Sequence, residues 1–375
     1  MNNLTRTMRR WSSKAFNWPV LAKSRWYWVD YLRGIAILLV VYRHALLGIE
    51  YSHVDVPAGL EKANMIFFSF RMPLFFILSG IFIGGSMKKR TVKQLIGIKF
   101  ENLLYPYLIW VFIQITIQIM LSGSINSQRT YRDYLDILLS PRELDQFWYL
   151  PALFNCSVIY LLLKSYLKPA VWVQLLLGMG LYLLAPHVQK YSMVSDWMRF
   201  YIFFALGDGI AAFFFRESSQ RFLKNPWTLV GIAPLFAVAQ LFYLSQNENV
   251  YFNTVAGQLE FLVIALIGCL SMVILSFRLQ SWNVLSWLRV LGFHSLYIYV
   301  MHVMVAAGTR VVMTKFLHVH NAYVLLATCI FFGVTVPVVF YNLLVEDGIF
   351  WFLFSYKKKK PRAAPAPASR EALAS

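Results

Sequence analysis

The largely apolar stretch Trp28–Glu50, WVDYLRGIAILLVVYRHALLGIE, carries Asp30, Arg33, Arg43 and His44 within it. Charges within a membrane span are costly, and they mark either a functional path or a packed polar contact. Eleven residues separate Arg33 from His44, roughly three helical turns and about 16 Å of rise. Arg33, Ile37, Val40 and His44 therefore share one stripe, with Asp30 a turn earlier beside it and Arg43 pointing off it. An imidazole titrates near neutral pH and can serve as a general base or as a nucleophile that carries an acyl group. A guanidinium grips phosphate or carboxylate through a two-pronged fork. A cation near one membrane surface and a histidine near the other predict a lined path along this helix.

The elements that must hold these groups follow from composition. The chain has 375 residues, of which 59% are hydrophobic, 17% aromatic and 14% charged. Soluble globular chains carry about a quarter charged residues. Apolar runs of about twenty residues recur throughout, which predicts an all-α polytopic membrane protein with about ten transmembrane helices. The expected spans are 28–48, 64–84, 102–121, 147–165, 170–186, 197–215, 226–244, 257–277, 288–310 and 322–344. A basic leader covers 1–27, the transmembrane domain 28–345, an interfacial aromatic segment 346–356, and a basic, Pro/Ala-rich disordered tail 357–375. The first span starts too late and runs too long for a cleaved signal peptide.

Lys and Arg in the connections set the orientation. Leader, even-numbered loops and tail carry about 23 of them, including Lys88, Lys89, Arg90, Lys93 and Lys99, against about 7 in the alternate loops. The positive-inside rule then places both termini in the cytoplasm, in a bacterial-type inner membrane. The net charge of +18 is on this reading a topology signal, and no nucleic-acid partner is expected. His44, Arg71, Trp148, Arg199, Glu260 and His302 fall towards the outer side. Asp30, Arg33, Arg289 and His294 fall towards the inner side, with Asp208 nearer mid-depth. The expectation is an outward polar cavity and an inward basic mouth. Cys156, Cys269 and Cys329 lie in spans without ligand spacing, so they read as packed thiols and no metal is expected. No phosphate-binding loop, dinucleotide glycine pattern or His-Glu-x-x-His helix is present.

Four stretches, in order along the chain, resemble the acyltransferase 3 family of membrane O-acyltransferases. They are Asp30-Tyr-Leu-Arg33-Gly34 with the Arg33-x10-His44 spacing, Phe68–Gly80 around Arg71-Met72-Pro73, Phe147-Trp148-Tyr149-Leu150-Pro151, and Ser295–His302. Within the family, the Arg71 and Trp148 segments look closest to the fucose 4-O-acetylase-like branch, which includes exopolysaccharide acetyltransferases of the xanthan type. The resemblance implies transfer of an acetyl group from acetyl-CoA to a hydroxyl of a glycan or lipid-linked oligosaccharide. Polysaccharide-assembly proteins are implied partners, beside membrane lipids. Many members carry Arg-x-x-Arg at the start of the third helix; here the nearest matches are Arg90-x-x-Lys93 and Lys99. The expected chain end soon after span 10 leaves no fused esterase-like domain, so the whole transfer falls to the membrane domain.

On that basis the catalytic residues are His44, as base or acyl carrier, with Arg33 and Asp30. Arg33, Lys88, Lys89, Arg90, Lys93 and Lys99 are assigned to CoA, Asp30 orienting the Arg33 guanidinium. Arg71, Trp148, His302 and Glu260 are assigned to the acceptor. Each has a plainer reading: a histidine bonded to a backbone carbonyl, an arginine snorkelling to the interface, an Arg71–Glu260 ion pair, an aromatic-belt tryptophan, a lysine cluster facing anionic lipid. Ser79-Gly80 reads as a close helix contact. A transporter of a glycan precursor or ion along helix 1 is the competing function, although internal repeats common in transporters are not visible here. A scaffold role leaves the four ordered motifs without a reason.

Overall fold

The computed structural model describes residues 14–18, 21, 26–121, 129–246, 250–346 and 348–357. Most of the basic leader and the tail beyond Lys357 lie outside the described residues. Ten helices long and apolar enough to cross a membrane are present among those described, with no strand. They are α1 (Tyr27–Glu50), α2 (Ala58–Met87), α3 (Val92–Met120), α4 (Asp145–Leu167), α5 (Val171–Val188), α6 (Ser192–Phe215), α7 (Pro226–Ser245), α8 (Val255–Trp282), α9 (Ser295–Phe316) and α10 (Ala322–Val345). The all-α polytopic reading therefore holds. The largest departures from expectation are three. The second helix begins at Ala58 instead of 64, the third at Val92 instead of 102, and the stretch from 288 is a separate short helix, Trp287–Phe293, ending at His294 before α9 starts.

Local sequence explains the starts. Thr91 and Gln94 form a reciprocal cap at the head of α3, the Gln94 N–H donating to Thr91 Oγ1 at 3.3 Å and the Thr91 N–H to Gln94 Oε1 at 3.0 Å. Asn225, Thr254 and Asn321 side chains accept from the first backbone N–H groups of α7, α8 and α10. In α1 the free Trp28 N–H donates instead to the Gln280 side chain at 2.9 Å, so the end of α8 supplies the missing partner.

Helix α1 is central, packed against α8, α9, α10 and the Trp287–Phe293 helix, while α6 packs on α2, α4 and α5. Two glycine pairs let backbones touch. A Cβ on Gly34 would fall on the Leu288 carbonyl and one on Gly292 on the Asp30 carbonyl; likewise Gly80 meets Phe204 and Gly207 meets Ile77. The Ser79-Gly80 reading as a packing contact fits this geometry at Gly80. The bundle has two faces: the first, where α1 begins, and the second, where α1 ends. Both ends of the described chain lie on the first face, where Asn342 at the end of α10 donates to the Ala15 carbonyl at 2.8 Å. The aromatic stretch after α10 folds back on α3 and α9: Phe354 packs at 5.4 Å from Trp110 and 4.9 Å from Tyr297, and Tyr105 donates to the Phe352 carbonyl.

Candidate active site

At the second face the bundle encloses a cavity of about 190 Å³, lined by His44 and Arg43 from α1, Arg71 from α2, Trp148 from α4, Arg199 from α6 and Tyr299 from α9. Arg71 reaches it because α2 breaks at Met72, where Pro73 opens the next segment without an N–H to donate. Its guanidinium is fully enclosed by protein, and Nη1 donates to the Leu39 carbonyl on α1 at 3.0 Å and to Asn64 Oδ1 at 3.2 Å. Arg71 is thus tied to the backbone of the helix that carries His44. The expected ion pair with Glu260 is not formed. Glu260 is partly buried and lies outside the cavity lining, so its assignment to the acceptor finds no geometric support.

Three histidines show three environments. His294 has both ring nitrogens engaged, Nδ1 at 2.7 Å from the Val290 carbonyl and Nε2 at 2.9 Å from Asn342 Oδ1. His302, fully buried, has Nδ1 at 3.0 and 2.8 Å from the carbonyls of Ile298 and Tyr299, which places the proton on Nδ1 and leaves Nε2 as a bare acceptor without a partner among the described residues. His44 makes no hydrogen bond to described residues. Its ring meets that of His302 at 5.1 Å between centroids, tilted by 61°, and it opens to the cavity. The plainer reading, a carbonyl-bonded packing histidine, describes His302 and not His44.

The cavity roof comes from the segment before α4. Asp145 sits at φ 58°, a left-handed turn that reverses the chain into the Asp145–Trp148 turn of 3-10 helix. Asp145 Oδ2 accepts from Gln114 at 3.0 Å and Gln118 at 3.2 Å, and lies 3.5 Å from Arg129. Gln146 donates to Gln114 at 2.9 Å, and its carbonyl accepts the Tyr299 hydroxyl, so α3, α4 and α9 are joined at this point. Arg142, which also lines the cavity, is paired with Asp196, with Nε 2.9 Å from Oδ1, and lies 4.1 Å over the Trp148 ring. Trp148 also stacks on Phe200 at 5.5 Å, so a sugar stacking on Trp148 competes with existing partners. Sequence reasoning counted Arg142 as a loop charge. The available signal was its place in a Lys/Arg-poor loop just ahead of Phe147-Trp148-Tyr149-Leu150-Pro151.

At the first face Arg33 and Lys99 are partly buried and within electrostatic range of one another, with Asp30 and Tyr149 beside Arg33. Lys88, Lys89, Arg90 and Lys93 are exposed, so the five-residue basic cluster divides and only Lys99 turns inwards to Arg33. Arg33 does not line the His44 cavity. The stripe joining them is closed at Ile37, which has no exposed surface, and the open path expected along helix 1 is interrupted there. Deeper in the bundle, Asp208 pairs with Lys164 and accepts from the Tyr160 hydroxyl at 2.7 Å.

A polytopic helix bundle with a histidine and several arginines lining one cavity defines an integral membrane protein with a candidate site at its second face. The acyltransferase domain profile matches residues 26–343, and the chain belongs to the acyltransferase 3 family. Among curated proteins it is similar to nodulation protein NolL of Mesorhizobium japonicum, 26% identical over 144 residues, which is 38% of this chain and 37% of that protein. It is also similar to nodulation protein NolL of Sinorhizobium fredii, 32% identical over 81 residues, 22% of each chain. The matched stretches thus span well under half of either relative. No solved structure matches the chain.

Proposed function

We propose that the protein is an O-acetyltransferase that moves an acetyl group from acetyl-CoA, bound at the first face, to a glycan hydroxyl bound in the cavity at the second face. The observation that carries this reading is His44: a histidine with no protein hydrogen-bond partner among the described residues, open to an enclosed cavity and flanked by Arg71 and His302. The excess of Lys and Arg in the loops of the first face supports placing that face in the cytoplasm, where acetyl-CoA is made. The fucose 4-O-acetylase-like branch supports an exopolysaccharide or its lipid-linked precursor as the acceptor.

In the step itself, His44 takes the hydroxyl proton as the sugar oxygen attacks the thioester carbonyl carbon. The tetrahedral intermediate places its negative oxygen within reach of Arg71, whose charge is held in position before the reaction begins. Collapse breaks the carbon–sulfur bond, and the thiolate leaves with the proton from His44. In the acyl-carrier variant His44 first displaces CoA and the sugar then attacks the acyl-imidazole. His302 does not line the cavity, so its assignment to the acceptor finds no geometric support; its ring packs against that of His44 and backs it from within the bundle. Arg33 and Lys99 suit the phosphates of CoA. Because Ile37 closes the stripe, the donor's acyl end reaches His44 only when the packing around Ile37 and Tyr149 opens.

Purified protein supplied with radiolabelled acetyl-CoA and a lipid-linked or polymeric glycan provides the test, with His44→Ala as control. Label on the glycan that disappears in the variant is the expected result. Transfer that survives the substitution removes His44 from the chemistry, and solute flux into liposomes without transfer replaces this reading with transport.

A further inference from the structure

The charge of the cavity exceeds what acetyl transfer to a neutral sugar requires. Four arginines, Arg43, Arg71, Arg142 and Arg199, lie on its lining against one carboxylate, Asp145, and Glu50 lies off the lining in electrostatic range of Arg43. That carboxylate is already held by Gln114, Gln118 and Arg129. Arg142 has Asp196 as its counter-ion. Arg71 has only a carbonyl and an amide oxygen, and among the described residues no carboxylate pairs with it. Arg199 has no hydrogen-bond acceptor among the described residues; Asp196, already bonded to Arg142, is the carboxylate within its electrostatic range, and its guanidinium rests 5.3 Å from the Phe252 ring. One cation suffices for the oxyanion of acyl transfer. Unneutralised guanidinium groups in a low-dielectric enclosure repel one another and are costly until an anion joins them. Several forks converging on one volume are the arrangement that recognises carboxylate or phosphate oxygens.

We infer that the cavity takes an acidic acceptor: a glycan carrying a carboxylate or phosphate close to the hydroxyl that is acylated, with Arg199 as a principal anion-binding residue. Assigning the anion to the acceptor rests on the acyltransferase reading; the anion selectivity of the cavity does not. The walls explain the division of labour. Arg71 is tethered to α1 near His44 and suits the reacting centre, whereas Arg199, on α6 and sharing Asp196 with Arg142, suits a fixed negative group on the neighbouring part of the substrate. Arg142, fixed by Asp196 and stacked over Trp148, then shapes the rim.

The test measures binding and transfer separately, using the full-length protein in zwitterionic nanodiscs. The probes are a glucuronate-terminated tetrasaccharide, its carboxyl-reduced counterpart, and the same glycan ending in a sugar phosphate. At least one acidic glycan is expected to bind about tenfold or more tightly than the reduced one, and the tighter of the two identifies the anion. Arg199→Gln is expected to collapse that preference towards unity, while Arg199→Lys, which keeps the charge and guards against misfolding as the cause, retains part of it. Equal binding of all three glycans, or a preference that Arg199→Gln leaves intact, overturns the inference. Selective binding without acetyl transfer from acetyl-CoA, by contrast, leaves anion recognition standing and removes the acyltransferase reading.

Discussion

The two ends of the bundle differ in how far their buried charges are answered. On the side of the first face, Lys164 is neutralised by Asp208, which also takes the Tyr160 hydroxyl, and Arg33 has Asp30 within electrostatic range. At the second face Arg142 is paired with Asp196 and Arg129 with Asp145, but Arg71 is held by neutral oxygens, Arg199 has only a share of Asp196 and an aromatic ring beside it, and His44 has no hydrogen-bond partner among the described residues. A satisfied buried pair holds helices together and offers little to a ligand. Groups held in place yet left unsatisfied await one. Ionisable residues in a membrane bundle thus divide by whether the fold has already answered them.

Four measurements can break or sharpen this contrast. The largest effect is expected at His44: His44→Ala lowers kcat by about 10²–10⁴-fold, the usual span for a positioned acid–base group, while the melting temperature in detergent stays unchanged. A matched fall in melting temperature would move His44 to the satisfied class. Asp208→Ala is the converse. It strands Lys164 and the Tyr160 hydroxyl, and about 2–3 kcal/mol of stability is lost, less than for a fully buried pair because Lys164 is partly exposed. Chemical or thermal unfolding checks it, and the double change Lys164→Met with Asp208→Leu recovers most of the loss. Smaller is Arg33→Ala, which raises KM for acetyl-CoA about tenfold, the scale of one charge-assisted hydrogen bond, with KM for the glycan unchanged. An equal rise in both assigns Arg33 to the fold. Least affected is Lys93→Gln, whose side chain is exposed: KM for acetyl-CoA shifts by less than about twofold at physiological salt, and a tenfold shift would return the whole basic loop to the donor site.

Much of this was legible from residue order. Ten apolar runs and four ordered motifs point to the helix count and the family. The Arg33-x10-His44 spacing singles out α1, and the polar residues of the outer group include four that do line the cavity: His44, Arg71, Trp148 and Arg199. Glu260 and His302 were grouped with them on depth alone, and neither lines the cavity. Depth does not specify the direction in which a side chain leaves its helix, and Glu260 points elsewhere. Arg142 was invisible for a related reason. It belongs to a loop, and only the left-handed turn at Asp145 and the pairing with Asp196, 54 residues away, carry it to the rim.

Sequence by itself determined that the chain spans a membrane with helices, because every backbone donor and acceptor in hydrocarbon must be satisfied within its own segment. It also singled out α1 as the helix proposed to carry the chemistry, since a histidine and an arginine on one stripe are a local property of helical period. Tertiary structure alone decided which of the embedded charges are neutralised, because pairing depends on neighbours distant in sequence: Lys164 with Asp208 across two helices, Arg71 with the Leu39 carbonyl across another two. It likewise decided that the stripe is closed at Ile37. A row of residues on one helix has the right faces aligned, but whether space lies beside them is set by the side chains of α4, α9 and their neighbours packed against it.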